Sequence, residues 1–323
     1  MAPQIIFGTA GFGMDKTAFQ DAQSVKSLLS TLKDLGISRI DTGARYPPLK
    51  PGRSEELLGE ARDISRDFTI DTKVFTDTKT DGSGDLTPEA ISKSANSSLQ
   101  RLQRPEGVNV LYIHRADPST PLRDQIQGFT EQISKGICKA WGVSNVPPSV
   151  LEEILQLCEE NGWPKPSWYQ GTYNVISRGM ETKLWPILEK HNIRFVAFWS
   201  GFGKRLLTGN LVNGRHAGTR LGDDNPLGKP FQKMYGSTDV LEATKRFDVE
   251  TRAQGLSPLE VAVRWIFHHS KLTDDDAVLL GASKVEQLAE SVAFIRKGPL
   301  PDAAVLLAND LWEGVKSTRS EII

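Results

Sequence analysis

An α/β chain that closes as a (β/α)8 TIM barrel, with a long loop after the seventh strand and an extra C-terminal helix, is the fold this sequence predicts. Three observations predict it. Eight short apolar runs rich in β-branched and aromatic residues recur along the 323 residues. Mostly single amphipathic helices separate them, so each crossover consumes a helix and the strands must pair in parallel. Eight such repeats close naturally into a barrel. The competing fold, a doubly wound open sheet, would want a G-x-G-x-x-G fingerprint after the first strand, and GTAGFG at 8–13 lacks that spacing. Barrels of this length form one domain, so residues 1–323 are read as a single barrel.

The elements follow in order. The run at 5–12, IIFGTAGF, ends in glycines as a buried strand does where backbone leaves room for a ligand. From Phe19 to Leu35, apolar residues at spacings of three and four give a helix that Gly36 stops. RIDTGA is the second strand, and Ser54 reads as the N-cap of SEELLGEARDI. FTIDTKV at 68–74 is the third strand, and the polar, glycine-rich 76–87 is too short to divide domains. Thr87-Pro88-Glu89 starts a helix, VNVLYIH at 108–114 is strand four, Thr120-Pro121 opens another helix, and KAWGVSN at 139–145 is strand five.

Residues 150–162 are helical, 167–174 strand-like, 182–192 helical despite Pro186, and RFVAFWS at 194–200 is strand seven. Gly201 to Ser237, glycine-rich and basic, is long for a compact domain and reads as a cofactor-covering loop. Helices at 238–254 and from Ser257-Pro258 precede strand eight, AVLLGAS at 277–283; KVEQLAESVAFI is its helix, and 301–316 forms the additional one.

Composition bounds the function. With 39 basic and 40 acidic residues the net charge is −1, and no bulk field favours nucleic acid or an anionic membrane. The two cysteines, Cys138 and Cys158, offer neither a disulfide framework nor metal-ligand spacing. MAPQIIFGTA lacks a basic segment followed by a long apolar one, and no apolar run approaches the length of a membrane span. The expectation is a soluble, cytoplasmic protein in a reduced compartment.

The chemistry gathers at strand ends, where barrels keep their active sites. Asp41, Lys73, His114, Ser144 and Asn145 hold that position on strands two to five, and Tyr46 follows Asp41 within RIDTGARY. Singly, each has an ordinary role: a turn-making Asp, a snorkelling Lys, a loop-packing Tyr, a structural His. Their joint placement outweighs those roles. A free phenol, with a pKa near ~10, is a poor acid at neutral pH, and a nearby ammonium lowers that value. The sequence therefore assigns Tyr46 as general acid, Lys73 as the charge that lowers its pKa, Asp41 as the partner that keeps Lys73 ionised, and His114 as the group that orients the substrate oxygen.

DTGARY with ELLG at 56–59, DTK at 71–73, LYIHRAD at 111–117, WGVSN at 141–145, YQGTYN at 169–174 and LLGASKVEQL at 279–288 resemble the successive signatures of the aldo-keto reductase superfamily. YNVISRGMETKLWP and VRWIFHHSKL further resemble its aflatoxin-aldehyde reductase branch, which acts on small aldehydes, dicarbonyls and semialdehydes. The resemblance implies metal-free, NADPH-dependent reduction of a small-molecule carbonyl, and the expected assembly is a monomer or homodimer. It gives Ser144, Asn145 and Gln170 to the nicotinamide carboxamide, Phe198 to stacking on the ring, and Gly8, Thr9 and Asp41 to the cofactor's approach. Ser200, Gly201, Gly203 and Lys204 would meet the pyrophosphate; Arg220, Ser283, Lys284, Gln287 and Ser291 would meet the 2′-phosphate side of NADPH/NADP+. Trp312 could wall the pocket and Arg319 could meet a substrate carboxylate, but packing or solvent exposure is the more ordinary role for such tail residues and is the one expected.

Two other functions remain at this stage. One is an NADP(H)-binding redox-sensing regulatory subunit with little turnover. The other is an aldolase-like barrel with a Schiff base on Lys73, which would need a desolvated lysine without an adjacent carboxylate, against Asp41.

Overall fold

The computed structural model describes residues 2–198 and 235–320. Eight parallel strands, β1 (Gln4–Gly8), β2 (Arg39–Asp41), β3 (Thr69–Lys73), β4 (Val108–Ile113), β5 (Cys138–Ser144), β6 (Trp168–Thr172), β7 (Arg194–Phe198) and β8 (Ala277–Leu280), close in sequence order into a barrel. The predicted class therefore holds, and the C-terminal helix is present. The seam is the β1–β8 pairing, in which Ile5 aligns with Val278 and Phe7 with Leu280.

Helices cover the outside in the order α1 (Ala22–Asp34), α2 (Arg53–Glu60), α3 (Arg62–Ser65), α4 (Pro88–Leu102), α5 (Leu122–Ser134), α6 (Pro148–Asn161), α7 (Met180–Lys183), α8 (Trp185–His191), α9 (Thr238–Ala253), α10 (Pro258–His268), α11 (Val285–Arg296) and α12 (Asp302–Arg319). Helix α1 begins later than its apolar period suggests. Asp21 caps it by accepting from the Ser24 amide at 2.8 Å, and Phe19 packs with Phe12 before the helix begins. Pro186 is tolerated because the helix breaks at Leu184, which leaves the proline in the first turn of α8, where no amide donor is required.

Ser54 is not a cap. Gly52, at φ +87°, has already turned the chain, and Ser54 lies buried inside α2, donating to the Thr9 carbonyl. Two residues of α2 fix it against α4. The buried carboxylate of Glu55 accepts from Thr72 Oγ1 at 2.5 Å and from Arg101 Nε at 2.8 Å. A side chain at Gly59 would run into the Arg101 carbonyl, so only glycine permits so close an approach.

Inside the barrel, side chains two apart on a strand share the inner face. On β2 these are Arg39 and Asp41; on β3 they are Asp71 and Lys73. The register sets Asp41 beside Asp71. Two diagonal ion pairs neutralise that juxtaposition of buried carboxylates: Arg39 Nε–Asp71 Oδ2 at 2.8 Å and Lys73 Nζ–Asp41 Oδ1 at 2.5 Å. The Arg39 guanidinium also stacks 4.1 Å over the Trp168 ring from the opposite wall. Above it Tyr112, Val196 and Leu279 fill the interior, with Phe198 against them. Among the described residues no helix is long and apolar enough to cross a membrane.

Candidate active site

Asp41 ends β2, Lys73 ends β3, and His114 follows the last residue of β4, so all three stand at the carboxyl rim of the barrel. Tyr46 reaches the same point from the loop after β2. Its ring lies on Gly43, where an added side-chain carbon would come 3.3 Å from two ring atoms, and this explains the small residues between Asp41 and Tyr46. The rim brings together all four residues expected to act in one place.

Lys73 is the centre of the group. Its ammonium donates to Asp41 Oδ1 at 2.5 Å and to the Thr42 carbonyl at 2.8 Å, and it lies 5.0 Å from the centroid of the Tyr46 ring. Both Lys73 and Asp41 are 1% exposed. A lone ammonium there would be expelled by desolvation, and burial does push Lys73 down, but the carboxylate of Asp41 outweighs it and its pKa stands above the ordinary value. Lys73 is thus held as a cation, which also disfavours Schiff-base chemistry.

Tyr46 departs from the sequence expectation. Burial raises its pKa, the Lys73 charge pulls it down, and Asp41 pushes it up again, so that the net direction is upward. Sequence shows the ammonium but not the desolvation that outweighs it. The phenol is held in its protonated form.

His114 is held neutral. Burial is the main cause, and the charges of Lys73, Arg45 and Arg115 add to it, bringing the imidazole down to about 3. Its Nδ1 is buried without a hydrogen-bond partner, and its ring meets that of Tyr46 edge to face. A neutral imidazole keeps one N–H donor.

The remaining predicted residues divide by location. Ser144 and Gln170 are aligned across β5 and β6 and buried, and Asn145, at φ +54°, projects into solvent with its amide 3.0 Å from Ser144 Oγ. Their hydroxyl and amides supply the donors and acceptors that a neutral carboxamide requires. Gln170 also does something the sequence did not disclose: its Nε2 donates to Asp41 Oδ2 at 2.9 Å, across the barrel and 129 residues away in the chain. Phe198 ends β7, partly buried against the interior cluster.

At the first strand Gly8 faces Leu279, and Thr9 is fully buried, its hydroxyl and amide both donating to the Asp41 carbonyl. Thr9 therefore positions the Asp41 backbone. Beyond β8, Lys284 and Gln287 are exposed at the start of α11, the Ser283 amide donates to Gln287 Oε1 at 3.0 Å, and Ser291 is buried with its hydroxyl on the Gln287 carbonyl. Ser200, Gly201, Gly203, Lys204 and Arg220 lie outside the described residues.

At the C-terminal helix the packing role holds over the substrate-facing one for both Arg319 and Trp312. Arg319 is 1% exposed, donates to the Ile176 carbonyl at 2.6 Å and to Ser177 Oγ at 2.7 Å, and stacks 4.2 Å over Tyr235. It anchors α12 and is not presented to a substrate. Trp312 is buried in the core against the Arg178 guanidinium.

Sequence reasoning passed over Arg45 and Arg115, although each adjoins a catalytic candidate, Tyr46 and His114 respectively. Arg45 donates to the Pro48 carbonyl at 2.6 Å and to Thr78 Oγ1, and Arg115 to the Asp77 and Thr80 carbonyls at 3.2 and 3.1 Å. Both hold the 77–80 segment, and the Nε of each is buried without a hydrogen-bond partner. Burial pushes the Cys138 thiol up to about 12 and the Cys158 thiol to about 11, which leaves neither reactive. Among the described residues no group of three or more His, Cys, Asp or Glu side chains is placed to hold a metal ion.

Comparison with known proteins agrees with this geometry. The model of the aldo/keto reductase family matches residues 4–313. Oxidoreductase sirO of Leptosphaeria maculans is 32% identical, the match covering 98% of this chain and 95% of that protein. Aflatoxin B1 aldehyde reductase member 2 of Mus musculus is 30% identical over 98% of this chain and 86% of its own length. Aldo-keto reductase family 7 member A3 of Homo sapiens is 31% identical, with 90% and 89% covered.

Proposed function

The chain belongs to the aldo/keto reductase family, and on that premise we propose that it reduces an aldehyde or ketone to an alcohol with NADPH, Tyr46 delivering the proton. The observation that carries this reading is the position of the Lys73 ammonium, 2.5 Å from the Asp41 carboxylate and 5.0 Å from the Tyr46 ring centroid. Bound NADPH supplies the hydride. Ser144, Asn145 and Gln170 would hold its carboxamide, Phe198 would lie against the ring, and Lys284 would meet the 2′-phosphate, where a charged partner is worth most.

The protein's own contribution is the proton. Burial keeps the Tyr46 phenol protonated at neutral pH, as a donor must be. The neutral His114 imidazole donates a hydrogen bond to the carbonyl oxygen and fixes it beside the phenol. As negative charge grows on that oxygen the Tyr46 proton transfers to it, and the adjacent Lys73 ammonium stabilises the phenolate left behind. Asp41 holds Lys73 in place and offsets its charge before the reaction. The pair therefore acts on the state after transfer, and burial acts on the state before it.

Within small aldehydes, dicarbonyls and semialdehydes, one observation favours a substrate carrying a carboxylate. Arg45 and Arg115 each adjoin a catalytic candidate and each keeps a buried Nε without a hydrogen-bond partner, while the Arg115 charge already acts on Asp81 and Asp85. The test is consumption of NADPH and NADH in parallel against a panel of neutral aldehydes, dicarbonyls and acid-bearing aldehydes. NADPH-dependent turnover is expected. Tight NADP(H) binding without turnover of any carbonyl would replace this reading with that of a redox-sensing subunit.

A further inference from the structure

Both oxygens of the Asp41 carboxylate are occupied. Oδ1 takes the Lys73 ammonium at 2.5 Å, and Oδ2 takes the Gln170 amide at 2.9 Å. Gln170 is 4% exposed and sits on β6, on the far wall of the barrel from β2. Its backbone carbonyl accepts from the Asn145 amide, which secures the strand at that level. The contact therefore joins the residues proposed to meet the nicotinamide carboxamide to those proposed to supply the proton, through a single side chain.

We propose that Gln170 is a positioning residue for proton transfer: it holds Asp41 on its second oxygen and thereby limits how far that carboxylate counteracts Lys73 at Tyr46. The inference rests on the reading of Tyr46 as proton donor. An amide has two N–H groups and one carbonyl, so Gln170 can keep Asp41 while its remaining polar atoms meet a carboxamide. Hydrogen bonds in a buried chain polarise one another. A carboxamide donating to the Gln170 carbonyl would strengthen the Gln170 N–H as a donor to Asp41. Cofactor occupancy and the acidity of the phenol are then coupled.

Asp41 comes from β2, Lys73 from β3 and His114 from the end of β4; Asp71 on β3 acts on Lys73, and Arg45 and Arg115 act on His114. Of these, Asp41 raises the phenol's pKa and Lys73 lowers it. Taking away the Gln170 dipole leaves Asp41 less well compensated, so the phenol should become less acidic.

The experiment compares wild type with Gln170→Met, which keeps length and removes the donor, and Gln170→Asn, which keeps the amide but shortens its reach. Three quantities are read: the alkaline limb of kcat for carbonyl reduction, NADPH affinity by fluorescence, and Tyr46 ionisation in the cofactor-free protein from ultraviolet difference titration against Tyr46→Phe. Both variants should move the alkaline limb and the cofactor-free titration upward together by about half to one pH unit. No shift, or a downward one, overturns the proposal; a loss of affinity alone would leave Gln170 a cofactor contact only. Gln170→Asn carries the test should Gln170→Met not fold. A wild type that turns over no carbonyl would sink the functional reading, while the cofactor-free titration would still decide the Gln170 link.

Discussion

The rings of Tyr46 and His114 meet edge to face, their centroids 5.3 Å apart and their planes at 85°. In that arrangement the two rings brace each other at the rim of the barrel without lying in one plane. The two side chains come from different strand ends and have different duties. One is kept protonated by burial and is proposed to give up that proton; the other is kept from holding an extra one.

Tyr46→Phe should bind NADPH with little change and lose turnover by about 10²–10⁴-fold, the usual contribution of a positioned general acid. Stopped-flow or steady-state reduction of an aldehyde, paired with a fluorescence titration of NADPH, measures both. Turnover within a few-fold of wild type would remove Tyr46 from the mechanism.

His114 should make the fold acid-sensitive. Its folded pKa, about 3, lies below the ordinary value of 6.5, so between those limits the unfolded chain binds the proton and the folded one does not. The sign follows: stability is intact above about pH 6.5 and falls as pH drops, with a limiting slope of about 1.4 kcal/mol per pH unit from this one group. Urea denaturation of wild type and His114→Gln at pH 7 and pH 5 should show the gap between them narrowing or reversing at the lower pH. A pH-independent gap would show that the imidazole is solvated or paired.

Strand ends made Asp41, Lys73 and His114 legible in the sequence, because each apolar run stops at a residue type that has no reason to be buried alone. Ser54 was misread for a local reason: Ser-Glu-Glu has the composition of a helix start, but the left-handed Gly52 had already made the turn. Burial was not legible, and burial reverses the sign for Tyr46. Nor was the Gln170–Asp41 contact, since two residues 129 apart meet only after the sheet closes. Periodicity fixes which face a residue takes, but contact across the interior depends on closure.

Gly59→Ala tests the wall that supports the site. The new methyl would meet the Arg101 carbonyl, a backbone atom that cannot rotate away. Separating α2 from α4 would also loosen Glu55 from Thr72 on β3, the residue before Lys73. The expected loss of stability is about 1–3 kcal/mol, read as a lower urea midpoint. An unchanged midpoint would mean that α2 can shift at little cost and does not brace β3.

Arg45 and Arg115 should distinguish acidic from neutral substrates. Each holds the 77–80 segment by hydrogen bonds from its terminal nitrogens, and each adjoins a catalytic candidate. Replacing either guanidinium with leucine would disturb that segment for every substrate, so raw activity is a poor readout. The ratio is the informative quantity. An arginine that meets a substrate carboxylate contributes a charge-assisted hydrogen bond, and its loss should lower kcat/KM for an acid-bearing aldehyde by about tenfold or more relative to a neutral aldehyde of equal length. Lysine restores the charge but not the planar, bidentate fork, and should recover only part of that ratio. If Arg45→Leu and Arg115→Leu reduce both substrates equally, the two residues are loop anchors and the preference for a carboxylate has no support from them.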